Sequence, residues 1–273
     1  MITKDLTFYL SDFKKKLIFL NRTQGTIVGY VDAIFLVLSH FNKPPKTITV
    51  SETIDYLNTI KVHSRKTAIA AIKFFYTNCL NSDKMNKLKY PKIPEHMPDV
   101  LSEDEMVRLI KSASNVKHRT MIMMLYSTGM RVSELLNLRW KNLDRARMEV
   151  KIVQGKGMKD RPVKLTEKMV KQLIIYCHEY KLHCFDSDNY VFPGMNKKRY
   201  SRRSVETFIE KYALKAGIKK RVSPLVIRHC TGTHLRSRGV DLATIQDMFG
   251  HKRPSTTRIY AKLDNLKSIP DLL

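Results

Sequence analysis

The chain has 273 residues, of which 50 are Lys or Arg and 25 are Asp or Glu, so its formal net charge is +25. Hydrophobic residues make up 43% of it, which excludes general disorder and predicts one or two folded domains. So positive a charge predicts an anionic partner: nucleic acid, an acidic membrane face or an acidic protein. Residues 1–96 carry 15 basic and 7 acidic residues and residues 97–273 carry 35 and 18, so both parts are basic, by +8 and +17.

Other protein classes are excluded by short-range patterns. The first residues, MITKDLTFYLSDFKKK, have no long apolar stretch before their lysines and do not predict a secretory signal. No run approaches ~18 apolar residues, so no membrane span is expected. The four cysteines are too sparse for a disulfide framework. Cys177-His178 and His183-Cys184 lack the usual ligand spacing, so we predict no metal and no cofactor.

The N-terminal third is predicted to be entirely helical. Apolar residues recur at helical spacing in four segments with short connections, a pattern typical of a small helical bundle. The predicted helices are 3–20, 24–41, 51–60 and 64–79. Residues 82–99 are polar, contain three prolines and lack periodicity, as a linker does. We therefore predict a helical domain over 1–88, a linker over 89–99 and a second domain over 100–273.

The second domain is predicted to be mostly helical with a small sheet. A capping box opens a helix at Ser102 and runs to about residue 112, and Gly129 is a C-terminal cap for a helix over 118–128. Residues 148–154 and 161–165 alternate like strands on either side of a hairpin-like turn. Further helices are predicted at 131–138, 166–181, 201–216, 223–238, 241–249 and 255–263. The predicted fold class is mainly α, with an antiparallel sheet in the second domain.

Two stretches of the second domain place a cation beside a glycine. Gly129 puts Arg131 at the start of a new helix, where it could fork onto phosphate oxygens while Glu134 holds the guanidinium. Lys156 stands between Gly155 and Gly157, at the tip of the predicted hairpin. Taken singly, Arg131 is explained at least as well by a surface ion pair as by phosphate binding, and Lys156 at least as well by a solvated turn as by a ligand contact.

Two later stretches add a buried cation and a tyrosine. Arg228 lies in a largely apolar turn of a predicted helix, where it needs either a salt bridge or a bound anion. His251 is followed nine residues later by Tyr260. Taken alone, Tyr260 fits a core tyrosine of an amphipathic helix as well as it fits a nucleophile.

In this order and spacing, the four stretches resemble the tyrosine recombinase, or phage integrase, family. The matching text is TGMRVSELLNLRW, then GKGMKDRPVKL, then SPLVIRHCTGTHLRSRGVDLATIQDMFGHKRPSTTRIY, within residues 100–263. The N-terminal domain matches the family's core-DNA-binding domain only by position and length. The resemblance implies a catalytic second domain that cuts and rejoins DNA through a 3′-phosphotyrosine, without metal or ATP.

The resemblance also implies a role for each matching residue. Arg131 and Arg228 would neutralise charge on the scissile phosphate, and Lys156 would protonate the leaving 5′-oxygen. His251 would donate a hydrogen bond to a phosphate oxygen, and Tyr260 would attack phosphorus. Glu134 would support Arg131.

One position departs from the family pattern. The family has histidine three residues before its second arginine, where this chain has Leu225. Leucine can neither donate to a phosphate nor accept a proton, so the base for the tyrosine is unassigned. His229, one turn later, occupies a position where the family usually has a basic residue as well, which makes it a poor substitute. Two hypotheses follow: a slow enzyme that uses water, or an attenuated variant.

The partner implied by the resemblance is double-stranded DNA with paired recombination sites, bound by a homotetrameric synapse in a prokaryotic cytoplasm, in association with the nucleoid. Two alternatives stay open: a type IB topoisomerase-like enzyme and a non-catalytic DNA-binding protein. The leucine-rich end of the chain, after Tyr260, is expected to dock on a neighbouring protomer or to pack on its own. The residues predicted to contact DNA are Lys159, Arg161, Lys197, Lys198, Arg199, Arg202 and Arg203.

Overall fold

The computed structural model describes residues 2–92, 99–153, 160–182 and 187–250, without the side chains of residues 2–5 and 197. The chain divides into two compact units, 1–96 and 97–273. Each unit has a hydrophobic core of its own.

The N-terminal unit is a bundle of four helices, as its periodicity predicts. Their bounds are α1 Ile2–Phe19, α2 Gln24–Phe41, α3 Val50–Thr59 and α4 Val62–Cys79. Thr23 caps α2 by accepting a hydrogen bond from the Thr26 backbone N–H, and Asn42 ends it in the left-handed conformation. The buried rings of Phe13 in α1 and Phe75 in α4 meet edge to face with centroids 5.4 Å apart.

The segment that follows α4 is only in part a linker. Lys84–Lys87 forms a short 3₁₀ helix, and Met85 and Leu88 are buried in the core of the N-terminal unit. The linker-like composition of 82–99 therefore begins before the N-terminal core ends, and both residues lie within the predicted first domain, 1–88. The apolar side chains at 85 and 88 lie three residues apart, the spacing that places both on one side of a 3₁₀ helix.

Helix α2 meets the length and composition expected of a membrane span, with a mean hydropathy of 1.3 over 18 residues. No span is expected from the sequence, and a core helix passes the same test, although only 22% of this window is buried. Ile27, Ile34, Val37 and Leu38 of α2 are buried in the bundle core. Packing against the bundle accounts for the apolar composition of this face.

The second unit contains seven described helices and a small sheet. The helices are α5 Glu103–Ser112, α6 Val116–Thr128, α7 Val132–Asn137, α8 Glu167–Glu179, α9 Arg202–Lys215, α10 Pro224–Ser237 and α11 Leu242–Phe249. Their caps follow the sequence signals: Ser102, Thr166, Ser201, Ser223 and Asp241 accept backbone hydrogen bonds at helix starts. The helix predicted at 255–263 lies outside the described residues.

The sheet is antiparallel with the order β1-β2-β3. Its strands are β1 Leu143–Asp144, β2 Glu149–Ile152 and β3 Arg161–Lys164. In β3, Arg161 and Val163 are buried while Pro162 and Lys164 are exposed. Strand β1 was not predicted because two residues are too few to show an alternating pattern.

Helix α6 is the centre of the second core. All its residues from Thr120 to Thr128 are buried, and it contacts α8 and α10. A helix buried on all sides shows no polar stripe, which explains the continuous apolar run MIMML. The polar groups it buries are paired: the Thr120 hydroxyl accepts a hydrogen bond from Gln172, and the Tyr126 hydroxyl lies 2.7 Å from His234 Nδ1.

The cysteines do not all behave as the sparse pattern predicts. Cys79 and Cys230 are free, but Cys177 near the end of α8 takes part in a disulfide bond. Cys184 lies outside the described residues. The absence of a multi-cysteine framework in the sequence therefore did not exclude a single bridge.

Candidate active site

Arg131 lies between two helices, at a sharp change of chain direction. Helix α6 ends at Gly129, whose φ of 58° is in the left-handed region that favours glycine. The Arg131 backbone N–H donates to Glu134 Oε2 over 2.8 Å, and its Nη1 donates to Glu134 Oε1 over 2.9 Å. The side chain of Arg131 is 35% exposed, so a guanidinium held on one side is open to solvent on the other.

Glu134 holds more than one arginine. Its side chain is 8% exposed, and both of its oxygens also accept hydrogen bonds from Arg161, over 3.2 and 2.9 Å. Burial alone raises the pKa of Glu134, but the hydrogen bonds from Arg161 and Arg131 and the charge of Arg161 outweigh it. The pKa of Glu134 therefore lies below its ordinary value, and the carboxylate is ionised at neutral pH.

Arg161 does not occupy the position expected of a DNA contact. It is 7% exposed, and besides its bonds to Glu134 its Nε donates to the Met248 carbonyl oxygen over 2.7 Å. A buried guanidinium committed to these acceptors is not presented to a DNA backbone. The alternation of β3 contained this signal, because Arg161 shares a face with the apolar Val163.

Arg228 lies on α10 and is 4% exposed. Its Nη1 donates to the Gly129 carbonyl oxygen over 2.5 Å and its Nη2 to the Phe249 carbonyl oxygen over 2.9 Å. The guanidinium carbon stands 4.4 Å from the centroid of the Phe249 ring, within range of a cation–π contact. Backbone carbonyls are neutral, so these contacts orient Arg228 without cancelling its positive charge.

Arg131 and Arg228 line the same cavity, of about 340 Å³. Arg202, from the first turn of α9, lines it too, and its Nε donates to Glu206 over 2.9 Å. Three arginines around one cavity produce a positive potential, which suits an anion with several oxygens such as a phosphodiester.

The position that departs from the family pattern faces this cavity. Leu225 lies in the first turn of α10, is 61% exposed and lines the cavity. His229, one turn further along, lines it as well. Burial, and then the nearby charge of Arg228, lower the pKa of His229, so its imidazole is neutral at neutral pH. A neutral imidazole can accept a proton, which leucine cannot.

The remaining predicted residues fall into two groups. Lys198, Arg199, Arg202 and Arg203 are exposed, before and at the start of α9. The other five stay predictions, because they lie outside the described residues or, for Lys197, outside the described side chains. These are Lys156, Lys159, Lys197, His251 and Tyr260.

A second and larger cavity, of about 830 Å³, lies beside the sheet. Its cations are accompanied by carboxylates: Lys151 lies 3.2 Å from Asp160, and Arg147 lies 3.8 Å from Asp144. The smaller cavity is the better candidate site because it is lined by both predicted phosphate-binding arginines.

The part of the chain that the structure describes contains no group of three or more His, Cys, Asp or Glu side chains arranged to hold a metal ion. Of the described residues, the cations that line the smaller cavity are Arg131, Arg202 and Arg228.

Sequence comparison decides the family. The model of the phage integrase family matches residues 99–267, which is more than half of the chain. The chain belongs to the phage integrase family. A tyrosine recombinase of Pseudothermotoga lettingae is 32% identical over 269 residues, covering 92% of each chain.

Solved structures agree with this membership. The crystal structure of a XerA recombinase is 34% identical and superposes with a TM-score of 0.57, covering 95% of each chain. A lambda integrase tetramer bound to a Holliday junction is 15% identical and has a TM-score of 0.77, covering 98% of this chain and 80% of that one. At that identity the likeness shows the fold alone. The mainly helical fold with its small antiparallel sheet is thus confirmed as the tyrosine recombinase fold.

Proposed function

We propose that the protein is a site-specific DNA recombinase that cuts and rejoins DNA by transesterification. Membership of the phage integrase family supports a DNA strand-transferring activity. The observation that carries the proposal is the cavity lined by Arg131 and Arg228, which lie on separate elements of the fold. Two guanidinium groups at one cavity supply the donors that a phosphate needs as negative charge builds on its non-bridging oxygens.

The proposed reaction begins with attack of the Tyr260 hydroxyl oxygen on phosphorus. The bond from phosphorus to the 5′-oxygen breaks, and Lys156 gives that oxygen a proton, so it leaves as a hydroxyl. The other product is a 3′-phosphotyrosine. A 5′-hydroxyl of a second strand then attacks this linkage and releases the tyrosine. One phosphodiester is exchanged for another through a covalent ester, so no ATP is needed to supply bond energy, and the arginines take the charge-neutralising role that a metal would otherwise have.

The proton of the tyrosine needs an acceptor, because the ordinary pKa of tyrosine is about 10. Leu225 cannot supply one. In the proposal, the arginines stabilise the forming phenolate, and either water or the neutral imidazole of His229 takes the proton. The expected consequence is a slow cleavage step.

The test is to trap the covalent adduct. Wild-type protein and Tyr260→Phe are each incubated with a library of nicked duplexes that lose the 5′-hydroxyl strand after cleavage. Adducts are then resolved in denaturing gels. We expect an adduct with a subset of duplexes for the wild type and none for Tyr260→Phe. No adduct from the wild type on any duplex, or an adduct that survives Tyr260→Phe, would contradict the proposal.

A second candidate function is DNA binding without cleavage. Leu225 favours it, since its side chain faces the cavity and has no proton-handling group. The same experiment separates the two, because a binding protein shifts the duplexes in native gels and leaves no adduct in denaturing gels.

The partner in the proposal is duplex DNA carrying paired sites, and the acting form is a homotetramer in the cytoplasm, at the nucleoid. A lambda integrase of the same fold was solved as a tetramer on a Holliday junction, and the proposal extends that stoichiometry to this chain. Strand exchange between two sites, rather than relaxation of supercoils alone, distinguishes a recombinase from a topoisomerase-like enzyme.

A further inference from the structure

Arg161 connects three separate parts of the second unit. It is the first residue of β3, it donates two hydrogen bonds to Glu134 at the start of α7, and it donates one to the Met248 carbonyl near the end of α11. Its side chain is 8% exposed, as is that of Glu134. A guanidinium with these bonds has little freedom to move.

The Glu134 carboxylate is shared evenly between two arginines. Oε1 accepts from Nη1 of Arg131 and Nη1 of Arg161, and Oε2 accepts from the Arg131 backbone N–H and Nη2 of Arg161. The orientation of the carboxylate therefore fixes Arg131, and Arg161 fixes the orientation of the carboxylate. A bidentate pair holds both the distance and the plane of the two groups.

The charges of Arg131, Glu134 and Arg161 also matter when they are summed. One carboxylate between two guanidinium groups leaves a net charge of about +1, whereas one carboxylate with Arg131 alone would form a neutral pair. Arg161 is the buried member and Arg131 the partly exposed one. Among these three side chains, the excess positive charge is therefore nearest the cavity at Arg131, which lines it.

We infer that Arg161 is a positioning residue for strand transfer, which holds the Arg131 guanidinium toward the scissile phosphate through Glu134. Through Met248 it also fixes the end of α11. This inference rests on the proposed function, and it replaces the DNA-contact role that the sequence predicted for Arg161. Loss of its bidentate grip is expected to slow cleavage by about 100-fold, the cost of misplacing a group that binds the reacting atoms.

The test compares the full-length wild type with Arg161→Lys and Arg161→Gln. The matched control is Arg238→Gln, because Arg238 also forms a bidentate pair, with Glu103 over 3.0 and 2.5 Å, and does not line the cavity. Adduct formation is measured in single turnover on a nicked duplex cleaved by the wild type. A second duplex carries a neutral methylphosphonate at the scissile position, where no charge needs a guanidinium.

On the normal phosphate we expect both Arg161 variants to form the adduct about 100-fold more slowly, with unchanged affinity for DNA. On the methylphosphonate we expect that loss to fall below about tenfold, because the group that Arg131 stabilises is no longer charged. Arg131→Ala should likewise lose less of its cleavage rate on the methylphosphonate duplex than on the normal phosphate. Arg238→Gln should cleave at the wild-type rate on both duplexes.

Equal losses on both duplexes would overturn the inference, since a purely structural role does not depend on the charge of the phosphate. A weaker affinity with a smaller salt dependence would also overturn it, in favour of a direct DNA contact. If Arg161→Gln does not fold, the double variant Glu134→Gln with Arg161→Gln is used instead, because it removes both charges. The rates expected of Arg161→Gln on each of the two duplexes are then expected of the double variant. If the wild type forms no adduct, the proposed function itself is contradicted. The inference about Arg161 then falls with it, whatever the stability of the variants.

Discussion

At the scale of single residues, a shared carboxylate organises the site. Glu134 is buried and accepts hydrogen bonds from two arginines, so its ionised form belongs to the folded state. Its pKa is lower in the folded protein than in the unfolded chain. The stability it contributes is therefore present above the unfolded pKa, about 4.3, and is lost as the pH falls through the folded pKa.

From this follows a prediction on acid stability. Glu134→Gln should lower the free energy of unfolding at pH 7 by about 3 kcal/mol, because it leaves the buried Arg161 guanidinium and the partly exposed Arg131 guanidinium without their counter-charge. The difference from wild type should shrink as the pH falls through the lowered pKa of folded Glu134, because the wild-type carboxylate then also becomes neutral. Urea unfolding at pH 7 and at successively lower pH measures both quantities. A difference that stays constant with pH would contradict the assigned ionisation.

Leu225 supports a prediction of gained activity. Its side chain is exposed at the cavity, so Leu225→His can be accommodated without disturbing a core. The histidine would accept the tyrosine proton, and we expect adduct formation about 100-fold faster than in the wild type, the usual scale of general-base catalysis. Leu225→Gln is the control, since it is polar but does not titrate near neutral pH. An equal rate for all three proteins would show that the position is not limiting.

At the scale of elements, the end of α6 and the end of α11 are locked together at Gly129. Glycine is required there twice: its φ is 58°, and a Cβ would lie 2.1 Å from Cε1 of Phe249. The Phe249 ring also lies under the Arg228 guanidinium, which donates to the Gly129 carbonyl. The close approach of these two helix ends thus sets the position of the second arginine.

Substitution at Gly129 tests this arrangement. Gly129→Ala should destabilise the protein by about 1–2 kcal/mol through backbone strain alone, and by more because Phe249 must move. The matched control is Gly217→Ala, where φ is 68° but no atom lies within 4 Å of the new Cβ. Thermal unfolding gives the stability difference, and adduct formation should fall only for Gly129→Ala. Equal effects of the two substitutions would show that the contact with Phe249 contributes nothing.

Element boundaries were predicted well wherever a cap or a period marks them. The predicted helix 24–41 coincides with α2, because Thr23 and Asn42 flank it with cap conformations. The strand β1 was missed because its two residues carry no period of their own, and it exists only by pairing with β2. The predicted first domain, 1–88, includes the buried Met85 and Leu88, but the linker-like composition from residue 82 did not reveal that they pack in its core.

At the scale of the whole molecule, charge sets the behaviour toward DNA. A net charge of +25 spread over both units predicts many phosphate contacts. The affinity for duplex DNA should therefore fall steeply with salt, because each neutralised phosphate releases counterions. A weak salt dependence would contradict binding by both basic units.

The exposed arginines at the start of α9 allow the salt dependence of DNA binding to be assigned to individual residues. Arg203→Ala should weaken binding to all duplexes alike and lower the slope of log affinity against log salt by about 1, as expected for a lost phosphate contact. Arg161→Gln should leave the slope unchanged, because Arg161 is buried. Titrations at several salt concentrations measure both. A smaller salt slope for Arg161→Gln would indicate that Arg161 contacts DNA directly.

The sequence by itself determined the charge, the helical periodicity and the ordered motifs around Arg131 and Arg228, because these depend on residue type and on spacing along the chain. It also located Leu225 as the departure from the family pattern. Only the tertiary structure brought both arginines to one cavity, turned Arg161 inward to Glu134 and stacked Phe249 on Gly129. Those contacts join residues far apart in sequence, and packing between elements selects them. The charge that first indicated a polyanion therefore includes one arginine turned inward to Glu134 and others, such as Arg203, that are exposed on the surface.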